Sequence, residues 1–201
     1  MPTFTPPFGS DYCIDEVYPP AEDTYLLLRA ALAEARPEDL VLEIGCGRGV
    51  LTQDLSSRVK RLIATDINPH ALRATRSRAD RFDLIRADLF QGIKERFDLV
   101  LFNPPYLPER REERVGGWID WALDGGESGR ETINRFLTEL ESHLRPGGRA
   151  LLVSSSLTGI DEVLETAYFL DLLATIIASE RCFFEQLYVL KISLNIGENK
   201  G

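Results

Sequence analysis

Four residues pose the first chemical question. Asn103, Pro104, Pro105 and Tyr106 end an unbroken apolar run, Leu99 to Phe102. Two prolines hold φ nearly fixed and donate no backbone hydrogen bond. They form a rigid corner whose carbonyls point outward, and Asn103 adds an amide oxygen. Such a set of acceptors suits a planar –NH₂ group. The lone pair of that nitrogen is delocalised and poorly nucleophilic. Fixed acceptors on its N–H groups favour pyramidal geometry as it attacks. Tyr106 can stack on a planar amide or base. Taken alone, the stretch can also be read, with less weight, as a Pro-rich turn leaving a strand.

Three further strand ends carry matching chemistry. In "LEIGCGRGV", Gly45, Cys46, Gly47, Arg48 and Gly49 form a G-x-G-x-G turn, where glycine lets a ligand approach the backbone. A dinucleotide pattern needs a third glycine at position 50, which is Val50. That argues against a nicotinamide cofactor. Glu43 is unusual in a buried strand and needs a partner, such as a cationic ligand group. Asp66 follows the glycines by about twenty residues, the spacing at which an acid reaches ribose hydroxyls. Asp88 ends another strand and could accept from the exocyclic amine of an adenine. Either aspartate alone could be a helix cap. Together with the glycine turn they fit an adenosine without a pyrophosphate.

The elements that position these residues alternate. Helix is predicted in "AEDTYLLLRAALAEA", "GVLTQDLSSR", from Pro69 to about Arg78 behind an Asn68 cap, and in "ETINRFLTELESHL", closed by "RPGG". Strands are predicted in "DLVLEIG", "RLIATDI", "FDLIRAD", "FDLVLFN" and "RALLVSSS". "ATIIASERCFFEQLYVLKISL" reads as a hairpin. The expected fold is α/β and Rossmann-like: a mostly parallel seven-stranded sheet, helices on both faces, and an antiparallel C-terminal strand. Ligands in such sheets bind beyond the carboxyl ends of the strands. A single domain over 1–201 is expected, with a Pro-rich arm at 1–20 and a polar tail at 195–201.

The 201 residues suffice for one sizeable core, and 44% apolar with 27% charged residues is a globular balance. A net charge of −9 disfavours a large nucleic-acid footprint. Arg73, Arg76, Arg78 and Arg81 read as a solvated helix face. Cys13, Cys46 and Cys182 are far apart and only His70 and His143 accompany them. No zinc site or disulfide framework is expected, and a reducing cytoplasm fits. No secretory signal or membrane span is expected, since "YFLDLLATIIAS" is short and carries Asp171.

"EIGCGRG", Asp66, Asp88 and "NPPY" together resemble the class I S-adenosylmethionine-dependent methyltransferases that act on a planar nitrogen. Over nearly the whole chain the sequence is most similar to the HemK-like release factor glutamine methyltransferases, in their short archaeal and eukaryotic branch. "VYPPAEDTYLLL" matches that branch's N-terminal signature and "ALDGGESG" a second element after the catalytic motif. Pro19 stands where an acidic residue is common.

The resemblance implies S-adenosyl-L-methionine as cofactor. Gly45, Cys46 and Gly47 would line its methionine, with Tyr18 and Thr24 near its carboxylate and amino end. Glu43 would support the turn. Asp66 and Ile67 would hold the ribose, Asp88 and Leu89 the adenine. Asn103 and Pro104 would grip the target amide, and Pro105 and Tyr106 would shape its pocket. The implied substrate is the glutamine of a Gly-Gly-Gln motif in a peptide release factor. The implied partner is a small zinc-binding activator docking on the third strand, Phe82 to Ala87, an expected sheet edge. "PERREERVGG" could be a substrate loop. The same grip would serve adenine or cytosine of nucleic acid. Protein lysine fits it poorly, because an ammonium must first lose a proton. A silent cofactor-binding scaffold would have no need of the acceptors.

Overall fold

The computed structural model describes residues 13–78, 80–108 and 117–195. A 3-10 turn, Ile14–Glu16, precedes α1 (Glu22–Glu34). Then follow β1 (Leu40–Ile44), α2 (Val50–Leu55), β2 (Arg61–Asp66), α3 (Pro69–Arg76), β3 (Asp83–Arg86) and β4 (Phe97–Phe102). The second half holds α4 (Trp118–Leu123), α5 (Glu131–His143), β5 (Leu144–Ser155), α6 (Ile160–Phe169), β6 (Leu172–Arg181) and β7 (Gln186–Leu194).

The seven strands form one sheet in the order β3-β2-β1-β4-β5-β7-β6. The first five run parallel, and β7 is antiparallel to both β5 and β6. This is the expected architecture. Central strands covered on both faces need continuous apolar runs rather than alternation. All five residues of β1 are buried, as are Leu99, Val100, Leu101 and Phe102 of β4. Each apolar side chain among them contributes about 1.5–3 kcal/mol by leaving water, whereas the carboxyl of Glu43 in β1 is buried at a cost. Helix α5 buries Ile133, Phe136, Leu137 and Leu140, one helical stripe. Its Phe136 meets Phe102 with ring centroids 5.0 Å apart. The end of β4 is thereby fixed from one face.

Local signals behave as read at the start of α3. Asn68 caps it, its Oδ1 accepting from the His70 N–H at 2.8 Å, with Pro69 in the first turn. Arg76, Arg78 and Arg81 are exposed and Arg73 is half-buried; only Arg73 and Arg76 lie on α3, so the four do not form one helix face. β3 is an edge strand, also as expected.

One element differs from expectation, and two helices lack a predicted counterpart. "RPGG" does not lie outside the sheet: it is a bulge inside β5, where pairing jumps from Phe97–Leu144 to Leu99–Arg149. A Cβ on Gly148 would stand 2.7 Å from the Phe97 carbonyl, so glycine permits the bulge. The apolar stretch around "YFLDLL" is two elements, α6 and β6, separated by Asp171 at φ 54°. Finally, α4 forms at Trp118–Leu123, just past the predicted loop, where the sequence predicts no element. The loop reading of 108–117 falls mostly on 109–116, outside the described residues. So do most of the N-terminal arm, up to residue 12, and most of the tail, from residue 196.

Candidate active site

The carboxyl ends of β1, β2 and β4 open on a cavity of about 1090 Å³. That volume exceeds what one small ligand fills and leaves room for a second group. Of the residues singled out from sequence, Tyr18, Thr24, Glu43, Gly45, Gly47, Asp66, Ile67, Asp88, Leu89 and Asn103 to Tyr106 all line it. Cys46 does not. Its side chain is buried and its Sγ accepts from the Thr75 hydroxyl at 3.3 Å, so only its backbone belongs to the turn.

The glycine turn is held by its neighbours. Gly45, Gly47 and Gly49 all have positive φ, and a Cβ on Gly49 would stand 2.9 Å from Thr75. A Cβ on Gly47 would meet nothing within 4 Å, so that face of the turn is open space. Arg48 points back and donates to the carbonyls of Ile14 and Val17, pinning the N-terminal arm across the turn.

Each acid has a distinct environment. Asp66 accepts from the Gly47 N–H at 2.9 Å through one oxygen and from the Asn68 N–H at 2.8 Å through the other. Burial nevertheless raises its carboxyl to about 6, against those N–H groups, which lower it. Glu43 takes the Thr52 hydroxyl as hydrogen-bond partner. Its partner is therefore supplied from α2, where the sequence suggested a ligand cation. Burial, with a smaller push from Asp66, lifts the Glu43 carboxyl to about 8. Asp88 pairs with Arg135 at 2.7 Å, an exposed ion pair reaching across from α5.

Sequence reasoning missed Asp23. It is buried, one carboxylate oxygen accepting the Tyr18 hydroxyl at 3.2 Å and the Tyr106 hydroxyl at 3.3 Å. The other accepts from the Thr24 N–H at 2.6 Å. As an acid in the first turn of α1 it reads as a dipole partner; only the fold brings Tyr106 to it. Burial foremost, then the Asp23 charge, hold both phenols well above their ordinary value, so neither tyrosine is a base.

Asn103 differs from all of these. Its Oδ1 is buried and finds no hydrogen-bond partner among the described residues. An unpaired buried acceptor costs about 1–3 kcal/mol, which a ligand donor would recover. The strand end is braced from behind. Leu107 bridges to Asp124, and the Gly125 N–H donates to the Leu107 carbonyl at 2.9 Å. A Cβ on Gly129 would stand 2.6 Å from the Tyr106 carbonyl. The glycines of "ALDGGESG" thus let this loop close on the Asn-Pro-Pro-Tyr corner.

The sheet order, the lone antiparallel strand and a glycine turn after β1 define a class I Rossmann-like methyltransferase. Residues 22–117 match the methyltransferase small domain. The chain is 37% identical over 180 residues to a protein of Methanocaldococcus jannaschii provisionally named an N5-glutamine methyltransferase, covering 87% of this chain and 90% of that one. It is 34% identical over 192 residues to human methyltransferase HEMK2, covering 89% and 90%. Among solved structures it is similar to the E. cuniculi Mtq2-Trm112 complex, described as methylating the termination factor eRF1. The TM-score is 0.75 at 31% identity, over 89% of this chain and 99% of that one. The chain belongs to the HEMK2-like family of N5-glutamine methyltransferases.

Among the described residues, no cluster of three His, Cys, Asp or Glu could hold a metal ion, and no helix is long and apolar enough to cross a membrane.

Proposed function

We propose that this protein transfers a methyl group from S-adenosyl-L-methionine to the side-chain nitrogen of a glutamine, in the Gly-Gly-Gln motif of a peptide chain release factor. The observation that carries the reading is the Asn103 Oδ1, a buried acceptor without a donor, at the strand end next to the glycine turn. The names of the relatives support the substrate class.

The cavity fits the cofactor. S-adenosylmethionine carries a sulfonium and an ammonium, and Asp23, Asp66, Asp88, Asp120, Asp124, Glu131 and Glu185 line the cavity against Arg48 and Arg135. Both arginines are engaged elsewhere, Arg48 on carbonyls and Arg135 on Asp88. The open face of Gly47 admits a ligand against the backbone. Tyr18, Thr24, Glu43 and the glycine turn would hold the methionine end, Asp66 with Ile67 the ribose, and Asp88 with Leu89 the adenine. Bound there, the cofactor supplies an electrophilic methyl on sulfur.

The chain supplies orientation. Asn103 Oδ1 and the Pro104 carbonyl accept the two N–H groups of the target amide, turning its nitrogen lone pair toward the cofactor side. Pro105 and Tyr106 wall the amide, and Asp23 fixes the tyrosine. No base is required of the protein, since the nitrogen becomes acidic once alkylated and gives its proton to solvent. A small zinc-binding activator would add to the open β3 edge, where Ile85 is exposed and Phe82 and Leu84 are partly buried.

The test is mass spectrometry of a release factor incubated with the protein, cofactor and activator. One added methyl on the Gly-Gly-Gln glutamine, lost in Asn103→Ala, is the expected result. An unmodified factor, with cofactor binding intact, would keep the grip and move the target to a nucleic-acid base or another protein.

A further inference from the structure

The β6–β7 hairpin carries a feature that neither packing nor turn chemistry requires. Its two tip residues are Phe183 and Phe184, 92% and 85% exposed. Two-residue hairpin loops favour Asn and Gly, which accept positive φ. Neither phenylalanine has positive φ, and no glycine stands there. Two hydrated phenyl rings at a turn oppose both solubility and local preference. The rings lie edge to face, 4.6 Å apart.

The tip is held in place. The Cys182 N–H donates to the Glu185 carbonyl at 2.9 Å, closing the turn. The Ser155 hydroxyl donates to the Glu185 carboxylate, and the Gln186 N–H donates to the Ser156 hydroxyl at 3.0 Å. Because β7 runs antiparallel to β5, its start lies beside the carboxyl end of β5. The tip therefore stands at the active end of the sheet. Glu185, next to Phe184, lines the same cavity as Asn103. A second exposed aromatic, Trp121 of α4, belongs to the same lining and is 66% exposed. Exposed aromatic rings thus stand on two separate elements, Trp121 in the lining itself and Phe183-Phe184 next to the lining residue Glu185.

We propose that the Phe183-Phe184 tip docks the protein substrate, its rings covering apolar side chains of the segment that presents the target glutamine. This rests on the glutamine-methylation reading above. The occupant follows from position and charge. The rings stand outside a cavity that already has room for cofactor and one side chain, so what they meet belongs to the substrate beyond its target group. Glu22, Asp23, Glu180 and Glu185 act electrostatically on Cys182, inside the turn, and among the described residues only Glu180 of these four forms a salt bridge, with Arg29; Arg181 flanks the turn as one cation against the four acids. That acidic surround favours an apolar or cationic polypeptide and repels a phosphate backbone.

The experiment compares wild type, Phe183→Ser/Phe184→Ser and Phe183→Leu/Phe184→Leu, each with activator, on an intact release factor. The serine variant is expected to raise KM for the factor about 10- to 100-fold. Its kcat, cofactor affinity and melting temperature stay near wild type, because the rings contact little within the fold. The leucine variant recovers much of the loss. A serine variant with wild-type KM would overturn the proposal. So would loss of activator binding or a change in oligomeric state, which would assign the rings to another occupant. A wild-type protein that binds cofactor yet leaves the factor unmethylated would fail earlier: the glutamine reading would fall, and the docking assignment with it.

Discussion

The ends of β2 and β4 lie on one cavity and are finished in opposite ways. At the β2 end, both oxygens of Asp66 are already engaged, by Gly47 and Asn68. That carboxylate shapes the glycine turn before any ligand arrives. At the β4 end, Asn103 keeps a buried acceptor unspent. A site that must bind a cofactor and then activate a weak nucleophile needs both treatments. The binding half is made rigid by internal hydrogen bonds. The reacting half holds its hydrogen-bonding capacity in reserve for the group that reacts.

The largest effect that would break this comparison lies at Asn103. Asn103→Ala should lower methyl transfer about 10²–10³-fold, the usual worth of one preorganised contact. Cofactor affinity by calorimetry should stay near wild type. Stability in urea should be unchanged or slightly higher, because the lost acceptor had no partner. A stability loss above about 2 kcal/mol would show that Oδ1 is structural after all. Asp66→Ala should do the reverse. It strands the N–H groups of Gly47 and Asn68, so destabilisation of about 2 kcal/mol is expected, together with weaker cofactor binding. Asp66→Asn, which keeps one acceptor, should fall between.

Glu43 sharpens the contrast through pH. Its carboxyl is raised from an ordinary 4.5 to about 8 by burial. Below pH 4.5 both folded and unfolded chains hold the proton, so the shift costs nothing. As pH rises from 4.5 to about 8 the unfolded chain ionises first, and folded-state stability falls. Glu43→Gln keeps an acceptor for the Thr52 hydroxyl and does not titrate. The variant and wild type should match in urea near pH 4.5 and diverge upward, the variant ahead by on the order of 5 kcal/mol above pH 8. Curves that remain parallel across that range would mean that water or a cation reaches the carboxylate.

Much of this arrangement is legible in the sequence. Strand ends announce themselves where an apolar run stops at an acid, a glycine turn or a proline pair. The Asn68-Pro69 start of α3 is a local signal with a local cause. What stayed hidden depends on distance in sequence. Asp23 has the same appearance as any acid opening a helix until Tyr106, 83 residues away, is folded onto it. Helix α4 buries no residue, so it lacks the apolar stripe by which helices are recognised. Helix α6 buries only Val163 and Ala167 and runs into the apolar start of β6, with Asp171 as the sole interruption. The glycines of "ALDGGESG" could be seen as a motif, but their reason, contact with the Tyr106 backbone, is tertiary.

The smallest effect concerns a third strand end, at Asp88, which lies between the two extremes. It has one partner, Arg135, and the pair is open to solvent, with side chains 53% and 37% exposed. Exposed pairs contribute at most about 1 kcal/mol. Arg135→Ala should therefore shift the melting temperature by no more than about 4 °C. The ion pair occupies the carboxylate assigned to the adenine amine without holding it firmly. Removing Arg135 should then leave cofactor affinity within about threefold of wild type, or tighten it, whereas Asp88→Ala should weaken it more. If Arg135→Ala costs as much affinity as Asp88→Ala, the arginine itself faces the ligand. The β3 end would then belong with the prepaid β2 end, as a pair formed to receive the adenine.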